Sequence, residues 1–201
     1  MSDIVIYLAS SSPRRSTLLH QMGVSHKILM PADGSESVDE SPAPNEMPNP
    51  YVTRLADSKL KAGWNRLQHT GLPVLPILAA DTAIAMDNVI LGKPVNDEDA
   101  TRMLSLLSGR SHQVLTAIAM TDGQSWHRRL SMTEVWMRPL SSHDIDRYLA
   151  TREHEGKAGS YAIQGMAARF IRRISGSPSG VMGLPIYETD ELLMLFASGD
   201  A

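Results

Sequence analysis

The sequence predicts an α/β protein in which helices cover both faces of a central mixed sheet. Short apolar runs such as Ile4–Ala9 and Val74–Ala80 alternate along the chain with helical patterns such as Asp97–Leu107. Asp122-Gly123 separates two long strand-like segments as a hairpin turn does, which adds antiparallel pairing to the sheet. With 201 residues, 42% of them hydrophobic, the chain can bury a core in one domain or in two small lobes.

The N-terminal segments are predicted to form a strand, a polar turn and a helix. Ile4–Ala9 is β-branched and aromatic, and three serines with Pro13 follow it. Arg14–Met22 has apolar residues at helical spacing and ends at Gly23, which supplies the left-handed stop. Pro31–Pro50 then carries five prolines and several acids, which predicts a long surface loop that could act as a mobile lid.

Asp81 is predicted at the end of a strand in the middle of the chain. A helix from Asn49-Pro50 to about Leu67 precedes this strand, Val74–Ala80, whose apolar run stops at the carboxylate. The later elements are predicted from turn residues, caps and apolar spacing. They are extended segments at Ala83–Met86 and Val89–Leu91, a helix Asp97–Leu107 capped by Asn96, a hairpin of Gln113–Met120 and Gln124–Arg138, a helix from a capping box at Ser141 to Leu149, a strand Arg169–Ile174 and a helix from Pro185 to about Phe196.

The composition excludes several classes of protein. Cysteine is absent, which rules out disulfides, thiolate catalysis and sulfur-held metal clusters. A net charge of −3 and two phenylalanines provide neither a basic face nor a stacking platform, which argues against a structural RNA-binding protein and any nucleic-acid partner. The N-terminus lacks a signal-peptide core, and no apolar run approaches the roughly 20 residues that span a bilayer. We therefore expect a soluble cytoplasmic protein without a membrane partner.

The segment Ser10-Ser11-Ser12-Pro13-Arg14-Arg15 lies between the first strand and the N-terminus of a helix. Its hydroxyls, free backbone N–H groups and two guanidinium groups favour an anion, as a phosphate cradle does. An ordinary serine cap with two solvated arginines is the alternative. Because the segment has neither a Walker lysine nor a GxGxxG pattern, a P-loop kinase and a Rossmann dehydrogenase fit poorly.

Asp81 is a carboxylate within an apolar stretch, so it must be paired, bound to a metal or placed at the mouth of its strand. The last option puts it in the crevice where open α/β sheets bind ligands, and Lys93 of Gly92-Lys93-Pro94 could share that crevice. A structural ion pair of Asp81 with Lys93 is the alternative. Lys59 and Glu40, taken alone, have the pattern of ordinary solvated residues.

The segment Lys157–Gly165 is a further candidate. Its glycines flank Tyr161 and Gln164, which indicates close approach of the backbone to a ligand and an amide that both donates and accepts. A glycine-rich structural turn is the alternative. The seven histidines show no metal-ligand spacing, so zinc catalysis is not favoured.

In order and spacing, these segments together resemble the Maf nucleotide pyrophosphatases from about residue 4 to residue 196. The resemblance is carried by Leu8–Arg15, Arg54-Leu55-Ala56 with Lys59, Ala80-Asp81-Thr82, Gly92-Lys93-Pro94, Leu107–His112, Lys157-Ala158-Gly159, Ile163-Gln164-Gly165 and Gly183-Leu184-Pro185. The chain departs from the family pattern at Glu153–Lys157, which lacks the usual Pro and Asp before the lysine.

The resemblance implies a Maf-like domain spanning residues 1–201, with a three-layer α/β/α fold similar to that of inosine triphosphate pyrophosphatase, often as a homodimer. It implies a cytoplasmic house-cleaning hydrolase that cuts a nucleoside triphosphate between its α and β phosphates with Mg²⁺ or Mn²⁺. The residues implied are Asp81, Lys59 and Lys93 for catalysis, Ser10, Ser12, Arg14, Arg15, Glu40, Thr82 and Gln164 for substrate binding, and Asp81 and Glu40 for the metal. Asp81 could be the base or a metal ligand, and a nucleotide-binding inhibitor of septum formation with incidental hydrolysis is the alternative function.

Three positions distinguish subgroups within the family that the chain resembles. A subgroup that acts on 7-methyl-GTP carries an aromatic residue, Gln and Glu where this chain has Arg14, Thr82 and Gln164. The amide of Gln164 could donate to a carbonyl of uracil or thymine and accept from its imide N–H. We therefore expect dTTP and UTP as substrates, together with modified pyrimidine nucleotides.

Overall fold

The fold is described from a computed structural model, which covers residues 5–29 and 38–197. Its strands are β1 (Val5–Leu8), β2 (Ser25–Ile28), β3 (Ile77–Met86), β4 (Val89–Leu91), β5 (Ser111–Thr121), β6 (Trp126–Met137) and β7 (Ile171–Ser175). Its helices are α1 (Pro13–Gln21), α2 (Pro48–Gln68), α3 (Asp97–Leu107), α4 (Ser142–Leu149), α5 (Pro178–Met182) and α6 (Ile186–Ala197). Two 3₁₀ turns, Ala158–Ser160 and Met166–Phe170, lie between α4 and β7.

The strands form one mixed sheet in the order β2-β1-β3-β5-β6-β7, with β4 paired to β3. β1 is parallel to β2 and β3, whereas β3, β5, β6 and β7 are joined by antiparallel pairing. The hairpin of β5 and β6 turns at Asp122-Gly123, as predicted. The predicted mixed sheet is confirmed.

Helix α2 covers one face of the sheet. Its residues Val52, Leu55 and Leu60 are almost completely buried against Ile77 and Ala79 of β3. Burial of each such leucine contributes roughly 1.5–3 kcal/mol relative to exposure. The neighbouring Lys59 is therefore carried by a helix that packing holds firmly on the sheet.

The opposite face of the sheet carries two apolar clusters, which meet in the middle of β3. Leu78 and Ala80 belong to a cluster covered by α1 and α6. Ile84 and Met86 belong to a second cluster, covered by α3 and α4. Thr82 is the residue of this face that lies between the two clusters. Together with α2 on the first face, these helices complete the three layers that were predicted.

The predicted end of a strand at Ala80 is wrong. β3 is continuous from Ile77 to Met86, and Asp81 lies in its middle rather than at its end. The strand that ends at this level is β1, because it pairs with β3 only at Ile77 and Leu78. The carboxylate still reaches a crevice, but the mouth of that crevice is formed by the end of the neighbouring strand.

Capping residues in the sequence correctly predicted where two helices begin. Asn96 accepts a hydrogen bond from the backbone N–H of Asp99 at the start of α3. Ser141 and Asp144 form the predicted capping box of α4. The sequence pattern did not predict β2 or α5, and α2 begins at Pro48, inside the predicted loop of 31–50. Within that loop, residues 31–37 lie outside the described residues, as does Ile4 of the first predicted strand. No helix of the described chain is long and apolar enough to cross a membrane.

Candidate active site

The sheet opens a cleft at β3, where the strands on one of its edges diverge. β1 pairs with residues 77 and 78 of β3 and β4 pairs with residues 84–86, so the edge between them faces a cavity of about 1280 Å³. A cavity of this size can hold a nucleotide-sized ligand. Its charged wall, as we name it, consists of Arg14, Arg15, Glu40, Lys59, Asp81 and Lys93, and its neutral wall consists of Tyr161–Gln164 and Val181–Gly183.

Asp81 is the buried carboxylate of the charged wall. Its side chain lies on the α2 face of β3 between Ala79 and Ala83, whose small side chains leave room for a long side chain from the helix. Lys59 Nζ occupies that space and donates to Asp81 Oδ1 over 2.5 Å. Burial raises the pKa of Asp81, and the positive charges of Lys59 and Arg15 partly offset that increase.

Glu40 joins two lysines at the mouth of the cleft. Its Oε1 accepts from Lys59 Nζ and its Oε2 accepts from Lys93 Nζ, each over 2.7 Å. Burial raises the pKa of Glu40, but the hydrogen bonds and charges of both lysines outweigh burial and bring the pKa to about 2. Lys59 thus lies between two carboxylates, and Asp81 pairs with Lys59 rather than with Lys93.

The segment that carries Glu40 is fastened to α2. Tyr51 Oη donates to the backbone oxygen of Glu40 over 2.8 Å. Arg54 donates to both carboxylate oxygens of Glu46, each over 2.7 Å, and to the backbone oxygen of Ser41 over 3.1 Å. A bidentate guanidinium contact fixes direction as well as distance, so Glu40 is held over the lysines from its own side of the cleft.

Arg15 and Arg14 present positive charge at the start of α1. Arg15 is buried, and it donates to the backbone oxygen of Gly183 over 2.8 Å and to Ser10 Oγ over 3.0 Å. Ser12 occupies the N-cap position, but its side chain makes no capping hydrogen bond. Burial lowers the pKa of Arg14, and its Nε is buried without a hydrogen-bond partner. This environment differs from that of a solvated arginine beside an ordinary serine cap.

Lys157 lines the same cleft as Arg14. Burial and, after it, the positive charge of Arg14 lower the pKa of Lys157. In the loop that carries Lys157, His154 is buried with its Nε2 3.0 Å from Asp97 Oδ1 at the start of α3. Two cations in one cleft that raise each other's electrostatic cost favour an anionic ligand near both.

The neutral wall is built from a buried polar pair and a tight backbone. Tyr161 Oη lies 2.7 Å from His112 Nε2, and burial lowers the pKa of His112 to about 4, so this pair is uncharged at neutral pH. Gln164 is exposed at the surface of the cleft. The backbone next to it is held by Glu153, whose carboxylate accepts from the N–H of Met166 over 2.7 Å. A Cβ at position 165 would lie 2.0 Å from that carboxylate, so any other residue there would require the Glu153 side chain to move.

Asp81 and Glu40 fit a divalent cation when a triphosphate supplies further ligands. Mg²⁺ is usually bound through one or two carboxylates together with phosphate oxygens. Among residues 5–29 and 38–197, no group of three or more His, Cys, Asp or Glu side chains could hold a metal ion by itself. The carboxylates of Asp81 and Glu40, on either side of Lys59, are the oxygen donors that the cleft could offer to such a cation.

The predicted site residues all line one cleft: Ser10, Ser12, Arg14, Arg15, Glu40, Lys59, Asp81, Thr82, Lys93 and Gln164. Three further residues of the site were not predicted from the sequence. Thr116 contacts Thr82 behind the cleft, and Tyr51 and Glu46 position the segment of Glu40. Thr116 interrupts the apolar run Val114–Met120, and a buried hydroxyl requires a partner. That interruption is the signal from which it could have been found.

The chain is similar to one protein family and to named members of it. A family model described as Maf-like protein matches residues 5–196 of the chain. A dTTP/UTP pyrophosphatase of Nitrosomonas europaea is 50% identical over 195 residues, which cover 94% of this chain and 92% of that protein. A dTTP/UTP pyrophosphatase of Aromatoleum aromaticum is 49% identical over 195 residues, with 95% of each chain covered. The structure of a HAM1 protein from Coxiella burnetii aligns with a TM-score of 0.49 and 15% identity over 97% of this chain and 99% of that chain.

Proposed function

Because the chain belongs to the Maf family, we propose that it is a nucleoside triphosphate pyrophosphatase that hydrolyses dTTP and UTP to the monophosphate and pyrophosphate. Two relatives with about 50% sequence identity are named for this activity, and the chain aligns with almost their whole length. The observation that carries the proposal is the buried carboxylate of Asp81, paired with Lys59 in a cleft that also holds Lys93 and two arginines. The modified pyrimidine nucleotides expected from the sequence remain part of this proposal.

The charged wall supplies the groups that hydrolysis at the α-phosphorus requires. Asp81 accepts the proton of the attacking water, and burial makes its carboxylate a stronger base than an exposed aspartate. Lys59 and Lys93 stabilise the negative charge that develops on the phosphate oxygens as pyrophosphate leaves. These ammonium groups now bind Glu40, so an arriving triphosphate competes with this carboxylate for them.

A divalent cation, Mg²⁺ or Mn²⁺, belongs to the proposal. Asp81 and Glu40 would hold it together with phosphate oxygens. When bound, it would neutralise charge on the triphosphate and lower the pKa of a coordinated water. Arg14, Arg15 and Lys157 would bind the remaining phosphate charge from the two sides of the cleft.

The neutral wall is proposed to select the base. Gln164 can donate to a pyrimidine carbonyl and accept from an imide N–H, which suits uracil and thymine. Thr82 and Arg14 complete the proposed specificity positions. The homodimer expected from the family resemblance remains a prediction, which sedimentation equilibrium of the purified chain tests.

The direct experiment incubates the purified protein with dTTP, UTP, CTP, GTP and 7-methyl-GTP in Mg²⁺ or Mn²⁺ and identifies the products. We expect dTTP and UTP to be hydrolysed fastest, with pyrophosphate as the inorganic product. Release of orthophosphate, or fastest turnover of 7-methyl-GTP, would contradict the proposal. Nucleotide binding without any product would favour the regulatory binding role. Asp57→Asn is a matched control, since this carboxylate lies on the same helix as Lys59 but pairs with Arg128 outside the cleft.

A further inference from the structure

A chain of hydrogen bonds runs behind the charged wall, from Arg15 to helix α5. Arg15 Nη2 donates to Thr82 Oγ1 over 3.4 Å, and the hydroxyl oxygens of Thr82 and Thr116 are 2.9 Å apart. Thr116 Oγ1 donates to the backbone oxygen of Gly180 over 2.8 Å. Thr116 is 1% exposed and is the partner of Thr82 across the pairing of β3 with β5, so it lies behind the surface that a ligand can touch.

The backbone carbonyl of Gly180 determines which way the two threonine hydroxyls donate in this series of hydrogen bonds. A backbone carbonyl can only accept, so the single proton of the Thr116 hydroxyl goes to Gly180. The contact between the two threonines must then use the proton of Thr82. Thr82 Oγ1 is left with lone pairs alone, and it can only accept from Arg15.

The guanidinium of Arg15 is fixed by neutral groups. Its three hydrogen bonds, to Gly183, Ser10 and Thr82, use three of the five N–H groups of an arginine. No carboxylate of residues 5–29 or 38–197 forms an ion pair with it. Two N–H groups therefore remain for a ligand, in an orientation that the neutral partners set, and the positive charge acts on Asp81 and Glu40 without a direct ion pair.

Helix α5 and the glycine that follows it complete the arrangement. Gly183 has a φ of 114°, which few residues other than glycine adopt, and a Cβ there would lie 3.6 Å from Thr82 Oγ1. The same short segment thus supplies the carbonyl of Gly180 to Thr116 and the carbonyl of Gly183 to Arg15. Both ends of the chain of hydrogen bonds are anchored to one piece of backbone.

We infer that Thr116 is a positioning residue for nucleotide binding, which helps to hold Arg15 toward the ligand by fixing the Thr82 hydroxyl with its lone pairs toward the guanidinium. The inference rests on the proposed function, since it requires that Arg15 faces the nucleotide. Without the Thr116 hydroxyl, the Thr82 hydroxyl loses the partner that takes up its proton and fixes its rotamer, so its lone pairs are no longer held toward Arg15.

The test measures the dissociation constant of α,β-methylene-dTTP, which cannot be cleaved between its α and β phosphates, by titration calorimetry. We expect Thr116→Val to weaken binding roughly three- to tenfold, the size of one hydrogen bond. Thr116→Ser restores binding to within about twofold. Thr121→Val, which removes an equally buried hydroxyl at the hairpin end of β5, leaves binding unchanged. If Thr116→Val does not fold, Thr116→Cys, with a weak donor of similar shape, takes its place and is expected to weaken binding in the same direction.

A double-mutant cycle separates positioning from a general loss of packing. In an Arg15→Lys background, Thr116→Val should change binding less than twofold, because the group on which it acts is gone. Wild-type affinity in Thr116→Val, or an undiminished effect in the Arg15→Lys background, overturns the inference. Tight analogue binding by a wild-type protein that releases no pyrophosphate from dTTP refutes the proposed hydrolysis but not the positioning role. Absence of analogue binding by the wild type overturns both.

Discussion

The two walls of the cleft use polar residues in opposite ways. The charged wall concentrates buried or paired ions around Asp81, whose pKa burial raises and whose partner Lys59 also binds Glu40. The neutral wall instead presents Tyr161, which rests on an uncharged histidine, and the exposed amide of Gln164. Ions can stabilise a developing charge but distinguish bases poorly, whereas hydrogen-bonding groups do the reverse. The difference indicates that rate and base selectivity can be changed separately.

Loss of the buried carboxylate is expected to have the largest effect on the charged wall. Asp81→Asn removes the proposed base with little change in shape, and kcat for dTTP should fall on the order of 10²–10⁴-fold. Steady-state pyrophosphate release measures this loss, with Asp57→Asn as the control. Near-normal turnover by Asp81→Asn would remove Asp81 from the mechanism.

Loss of the Lys59 ammonium, which lies between two carboxylates, should have the second largest effect on kcat. Lys59→Met keeps the length of the side chain but leaves Asp81 and Glu40 without their shared partner, and kcat should fall on the order of 10²-fold. The ratio of rates for dTTP and CTP should stay constant, because the neutral wall is untouched. Lys61→Met, on the exposed side of the same helix, is the control. A change in base preference in Lys59→Met would argue against separate roles for the walls.

Gln164→Glu tests the neutral wall. The variant replaces an amide that donates and accepts with a carboxylate that only accepts, so dTTP should lose roughly tenfold in kcat/KM through an unpaired carbonyl. The rate for 7-methyl-GTP relative to dTTP should rise, since its base is cationic. Gln124→Glu, at the exposed turn of the hairpin, provides the comparison. An equal loss for every nucleotide would show that position 164 affects the phosphates instead.

A substitution of His112, behind the neutral wall, should have the smallest effect on turnover. It should instead change how the free energy of unfolding depends on pH. His112 has a pKa of about 4 in the folded protein and about 6.5 when unfolded. Between these values the unfolded chain binds more protons, so the free energy of unfolding should decrease by roughly 3 kcal/mol as the pH falls from about 6.5 to 4. His112→Gln should flatten this dependence in urea unfolding, and His143→Gln at an exposed site should not. A slope that is the same in all three proteins would contradict the burial argument.

The sequence predicted elements best where local chemistry determines them. The caps at Asn96 and Ser141 located two helices because each cap is a contact within four residues. β2 was missed because it is polar and mostly exposed, and only its pairing with β1 makes it a strand. α5 is five residues long, too short for an apolar period to be recognised.

The site was predictable as a set of residues but not as a network. Asp81 stood out as a carboxylate in an apolar stretch, yet its partner proved to be Lys59 on a distant helix, which depends on how α2 packs on the sheet. The link from Thr82 to Thr116 requires the register of β3 with β5, which no local pattern contains. The lone hydroxyl in the run from Val114 to Met120 was nevertheless visible.

The most direct test of the account follows the oxygen of the attacking water. Hydrolysis of dTTP in H₂¹⁸O with Mg²⁺ or Mn²⁺, with products resolved by mass spectrometry, reports which phosphorus is attacked. Attack at the α-phosphorus places one ¹⁸O atom in dTMP and none in pyrophosphate, and this is the result that we predict for the wild type, with Asp81→Asn at least 100-fold slower on the scale of general-base catalysis. Label in the pyrophosphate, or label in orthophosphate released with dTDP, would contradict the account.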